Sequence, residues 1–135
     1  MRALLLSLLI LPLAACLSAP ALPPEGTPYA VSLIPGDNLY PQRETRIYAT
    51  DTAAVLEPAH PANDMRETRS VTPLRPGTWA ELLRLNALPH RPVPPPPALP
   101  ACCHADATPV YHFVHHPGPL ARDAFEGALE WARNP

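Results

Sequence analysis

Apolar and polar positions alternate most cleanly at residues 29–34. Tyr29, Val31 and Leu33 fall on one side, Ala30 and Ser32 on the other, the period of two that marks a half-buried strand. Pro35-Gly36-Asp37-Asn38 follows as a turn signal. Residues 44–50, rich in Thr, Ile and Tyr, form a second expected strand. Residues 57–64 hold Pro58, Pro61, Asn63 and Asp64 and read as loop. Residues 66–72 suggest a third strand with weak alternation and high charge, suited to a sheet edge, where charge discourages pairing between sheets. At 110–114, Tyr111 and Phe113 oppose Val110, His112 and Val114. Apolar bulk on both sides predicts a central strand covered on both faces.

The period then changes to that of a helix. Thr78-Trp79-Ala80-Glu81 fits a capping box, in which the threonine hydroxyl and the glutamate carboxylate satisfy the first free amides. Trp79, Leu82, Leu83 and Leu85 give this helix an apolar side, and it must stop before Pro89. Residues 119–133 carry the strongest helical pattern. Leu120, Ala121, Ala124, Phe125, Ala128, Leu129, Trp131 and Ala132 lie within one half-turn arc, and Pro119 suits the first turn. Between the two helices, residues 89–100 include Pro94-Pro95-Pro96-Pro97, which favours polyproline II. The expectation is a single small α+β domain over residues 29–135. It comprises an antiparallel or mixed sheet of three to four strands, one or two packed helices and a Pro-rich strap at 89–100.

The head of the chain is organised differently. Arg2 supplies positive charge, residues 3–13 are apolar apart from Ser7, and Leu13-Ala14-Ala15-Cys16 closes the run. About 11 apolar residues fall short of the roughly 20 that span a bilayer, while the three-part layout is that of a secretory signal. The closing motif resembles the lipobox of the bacterial lipoprotein class. The resemblance implies a signal peptide at 1–15, diacylglyceryl transfer to the Cys16 thiol, and cleavage between Ala15 and Cys16. It also implies a lipid anchor facing the periplasm, because two or more acyl chains hold a membrane stably. Leu17 is not the aspartate associated with inner-membrane retention, so the outer membrane is favoured. Residues 16–28, with Pro20, Pro23, Pro24 and Pro28, are expected to form an extended tether.

Composition narrows the function classes. Beyond the signal, nine arginines face twelve acidic side chains, a net charge of about −3 with neutral histidines. Nucleic acid is therefore not an expected partner. The chain has no lysine, which excludes Schiff-base chemistry. Ser18, Ser32 and Ser70 stand outside any G-x-S-x-G motif, and no phosphate loop, H-E-x-x-H or dinucleotide fingerprint occurs. A non-enzymatic envelope protein that binds a protein partner or scaffolds an assembly is the expected role, with no cofactor.

One group of residues suggests an alternative. Cys102-Cys103-His104, followed by His112 and His116, combines thiols with imidazoles and suits zinc or copper. His112 and His116 are expected on one strand face, with His115 opposite. Adjacent cysteines are about 3.8 Å apart at Cα, below the usual disulfide separation, so a vicinal bridge is strained. A vicinal disulfide, free thiols, an intermolecular bridge and a metal-binding or redox module all remain open. His60 and His90, each next to a proline, carry no signal. A further alternative is a peptidoglycan-associated lipoprotein. Tyr29-Ala30-Val31 with Gly36-Asp37-Asn38-Leu39 resembles the opening of a LysM module, and Glu81-Leu82-Leu83-Arg84-Leu85-Asn86 is similar to its second helix. The resemblance implies a helix soon after Gly36-Asp37, where Pro41 and Arg46-Ile47-Tyr48 instead read as loop and strand.

Overall fold

The computed structural model describes residues 20–90 and 108–134. Five strands and two helices form an α+β fold: β1 (Tyr29–Ile34), β2 (Arg43–Tyr48), β3 (Thr52–Glu57), β4 (Thr68–Pro73), α1 (Thr78–Asn86), β5 (Val110–Val114) and α2 (Arg122–Arg133). A short 3-10 turn, Pro61–Asn63, lies between β3 and β4. The sheet is antiparallel throughout, in the order β4-β3-β2-β1-β5. The predicted Pro-rich strap lies, beyond His90, outside the described residues.

Both helices pack on one sheet face. Ala30 of β1 and Ile47 of β2 are buried there beneath Leu82 of α1 and Phe125 and Ala128 of α2, with Leu120 closing the N-terminal side of α2. Trp79 meets Phe113 edge-on at 5.9 Å, and Tyr111 meets Phe125 at 5.5 Å. Full burial of side chains such as Phe125, Leu82 and Ile47 contributes about 1.5–3 kcal/mol each. The apolar arcs expected of both helices are the ones that bury.

Several expectations change. The sheet has five strands, not three to four; β3 is the addition, a run of Thr-Ala-Ala-Val-Leu-Glu whose alanines weaken any alternation. The roles of β1 and β5 are exchanged. β1 is buried on both faces at Ala30, Val31 and Ser32, whereas β5 is an edge strand with Val110 and His112 exposed. β4 does take an edge, as its charge suggests. After Gly36-Asp37 the chain continues into β2, so the helix that a LysM module would place there is missing among the described residues.

The start of α1 also differs. Its N-cap is Gly77, with φ of 92°, and no side chain at the cap bonds the helix. Thr78 is fully buried and donates its hydroxyl to Arg75 O at 2.6 Å, while Glu81 pairs with Arg84. The first amides are satisfied from a distance. Asp51, in the β2–β3 turn, accepts from Gly77 N at 2.7 Å and from Trp79 N at 2.8 Å. At the start of α2, Pro119 precedes the helix rather than occupying its first turn. Asn86 bridges α1 to this point, accepting from Ala121 N at 2.8 Å and donating to Pro119 O at 3.0 Å.

Candidate functional site

The sheet face away from the helices carries a coupled set of polar and aromatic groups. The antiparallel register brings Val31 opposite Arg46 and Tyr29 opposite Tyr48, and period two places these four with Glu44 on the same face. Arg46 donates from Nε to Glu44 Oε1 at 2.7 Å and from Nη1 to the Tyr48 hydroxyl at 3.1 Å. Its Cζ lies 4.7 Å from the centre of the Tyr29 ring, and the rings of Tyr29 and Tyr48 are 5.1 Å apart. The guanidinium is thus held by a carboxylate, a hydroxyl and an aromatic face together.

Residues 20–28 lie along this face. Leu22 shares one cavity with Glu44, Leu56 and Arg69 and a second with Tyr29, Arg46 and Tyr48. Pro28 O then accepts from Ala49 N at 2.9 Å, anchoring the segment at the far end of the sheet. The described part of the expected extended tether is therefore a covering layer, and it is not extended throughout: it turns at residues 24–27, where Thr27 N donates to Pro24 O at 3.1 Å and Gly26 takes a φ of 85°. The second cavity, about 370 Å³, is bounded by residues 22–27 and by Tyr29, Arg46, Tyr48 and His115.

Electrostatics define what this cavity can do. Burial lowers the pKa of Arg46, but the hydrogen bonds to Glu44 and Tyr48, with their charges, outweigh it and hold the guanidinium above its ordinary value. Burial raises the pKa of Tyr29, opposed by the charge of Arg46 and reinforced by Glu44 and Tyr48. Arg46 and Tyr29 are partly exposed beside the cavity, whereas Tyr48 is only 4% exposed, so a permanent cation and one aromatic ring are the recognition groups that a ligand can reach: they bind and orient.

The two loops at the Leu22 end of the sheet form a second polar arrangement. Asp37 Oδ1 accepts from the amides of Leu39 and Tyr40 at 2.7 and 2.8 Å, and Asp37 N donates to Tyr40 O at 2.9 Å. This Asx turn holds the 36–42 loop. Gly36 is required at its base, since a Cβ there would sit 2.3 Å from Gln42 N. Across from it, His60 Nδ1 accepts from Ala62 N at 3.1 Å, so Nε2 carries the proton and donates to Asp37 O at 2.8 Å. His60 thus ties two loops together across 23 residues, a role that its neighbouring prolines do not announce.

The predicted site residues are not brought together among the described residues. Cys16, Cys102, Cys103 and His104 lie outside them. His112 stands exposed on the outer face of β5. His115 takes a left-handed φ of 57°, which reverses the strand alternation. His116 consequently packs on Phe113 at 4.6 Å and on Trp79 at 5.7 Å, the side opposite His112. No group of three His, Cys, Asp or Glu among the described residues is placed to hold a metal ion. No described helix is long and apolar enough to cross a membrane. Compared with family models, curated proteins and solved structures, the chain matches none of them.

Proposed function

We propose that this chain is a lipid-anchored protein of the bacterial cell envelope that binds a protein partner and carries no chemistry of its own. The observation that carries the reading is Leu13-Ala14-Ala15-Cys16 at the end of a short apolar run. The character of the outer sheet face supports the binding role: Arg46 and Tyr29, both partly exposed, line with the buried Tyr48 a cavity of about 370 Å³, and arginine and tyrosine are among the residue types that dominate binding surfaces. In a bacterial host fed an alkyne-tagged fatty acid, the full chain takes up the label, and Cys16→Ser abolishes labelling and leaves an uncleaved species. A photo-crosslinker at Glu25, on the cavity rim, then captures one reproducible envelope protein. A wild-type chain that takes up no label overturns the anchor, and a labelled chain that crosslinks to nothing reproducible overturns the binding role.

A further inference from the structure

Four of the five exposed large apolar side chains among the described residues fall together; the fifth, Leu88, 47% exposed, follows α1. Leu39, Tyr40, Met65 and Val110 are 61%, 69%, 64% and 52% exposed. Leu39 and Tyr40 sit in the loop between β1 and β2, Met65 in the loop between β3 and β4, and Val110 at the start of β5. The register pairs Ile34 with Arg43, Glu57 with Thr68, and Leu33 with Val110, which puts all four at one end of the sheet. The arrangement is braced. The Asp37 turn holds Leu39 and Tyr40 in place, His60 locks the second loop to the first, and Met65 follows Asp64 in two successive left-handed residues.

The chain reaches the domain at this same end. Leu22 lies beside Glu44, Leu56 and Arg69 near the two loops, and the segment runs from there to Pro28 at the opposite end. Cys16 is six residues before Leu22, a contour of at most about 20 Å. A lipid on Cys16 therefore keeps Leu22, and the loop end beside it, within about 20 Å of the bilayer. At so short a tether the effective concentration of the bilayer interface is high, so a few apolar contacts are enough. Arg43, Arg66 and Arg69 are interspersed here with Asp64 and Glu67, which makes the contact apolar rather than electrostatic.

We propose that the loop end is a lipid-docking surface: Leu39, Tyr40 and Met65 enter the headgroup layer beside the anchor and fix the domain upright on the membrane, with the sheet face of Arg46 turned sideways. The inference rests on the lipid anchor proposed above. Tyr40 suits the interface, where an aromatic body with a polar tip is favoured.

The test uses full-length, processed protein in phosphatidylethanolamine–phosphatidylglycerol vesicles containing brominated acyl chains. Tyr40→Trp reports on the docking end and Thr50→Trp, in the opposite turn, serves as control. Bromine should quench the added emission of Tyr40→Trp by at least half, unchanged by 0.5 M salt, and leave Thr50→Trp as in the parent. Intact mass of the same sample separates the two proposals. Acylated protein with no preferential quenching at position 40, or with both positions quenched alike, overturns the docking surface and leaves the anchor standing. Protein without an acyl group overturns both.

Discussion

Asp51 Oδ1 accepts a 2.8 Å hydrogen bond from the backbone amide of Trp79, 28 residues further along the chain, while its other oxygen takes the amide of Gly77. A turn of the sheet thus caps a helix of the layer above it. Asp51 also adopts a left-handed φ of 53° and accepts from Leu74 N through its carbonyl. Asp51→Ala loses the cap and strains the turn. The expected cost is about 2 kcal/mol, a fall in Tm on the order of 10 °C. Asp51→Asn keeps the backbone conformation and one acceptor and should lose less than half as much. Thermal unfolding by circular dichroism checks the order.

The capping box written in the sequence makes the opposite prediction, and the two are separable. Glu81 bonds Arg84 at 2.7 and 2.6 Å on the surface, so Glu81→Ala should leave Tm unchanged. Thr78→Val removes one hydroxyl bond from a buried site and should cost about 1 kcal/mol. A larger loss at Glu81 than at Asp51 would restore the box.

Two glycines give contrasting outcomes with alanine. At Gly36 the new methyl meets backbone, with Gln42 N at 2.3 Å. The loop must open, at about 1–3 kcal/mol, and Leu39 and Tyr40 lose their fixed placement. At Gly127, inside α2, it meets only the flexible end of Leu85 at 3.1 Å. A helix-propensity gain of up to about 1 kcal/mol then opposes a small repacking cost. Gly36→Ala should lower the urea midpoint clearly, and Gly127→Ala should leave it unchanged or raise it.

Alkaline pH should destabilise the fold through two tyrosines. Burial raises the pKa of Tyr111, assisted by its hydroxyl bond of 2.9 Å to Glu126 and opposed by Ser32, and burial likewise raises that of Tyr29. In the unfolded chain both ionise near pH 10. Above that value the unfolded state has released protons that the folded state still holds, so stability falls as pH rises. Urea unfolding at pH 9 and pH 11 should show the drop, and Tyr111→Phe should make it shallower.

Much of this architecture was legible from local pattern. β1, β2, β4 and β5 lie within a residue or two of their expected positions, and the arcs of Leu82 and Phe125 do form the core. β3 was not, because Ala53 and Ala54 give no alternation to read. Nor could β1 be separated from β5 as the strand covered on both faces. Tyr-Ala-Val-Ser-Leu looks half-polar until residues 20–28 are seen to lie over that face. The outer-face site was partly visible in Tyr29 and Tyr48, but its assembly depends on register. The roles of Asp51 and His60 act over 28 and 23 residues, beyond the reach of any local window. The cysteine motif at 102–103 lies outside the described residues, and His112 and His116 diverge because His115 turns left-handed.

Membrane placement and the docking end both depend on the lipid at Cys16. Intact-mass measurement of the protein exported by a bacterial host tests for it most directly. The expected product is a polypeptide beginning at Cys16 and carrying a diacylglyceryl thioether, with or without a further acyl chain on its amino group. A product with a free thiol at Cys16, or one cleaved at another bond, would contradict the anchor.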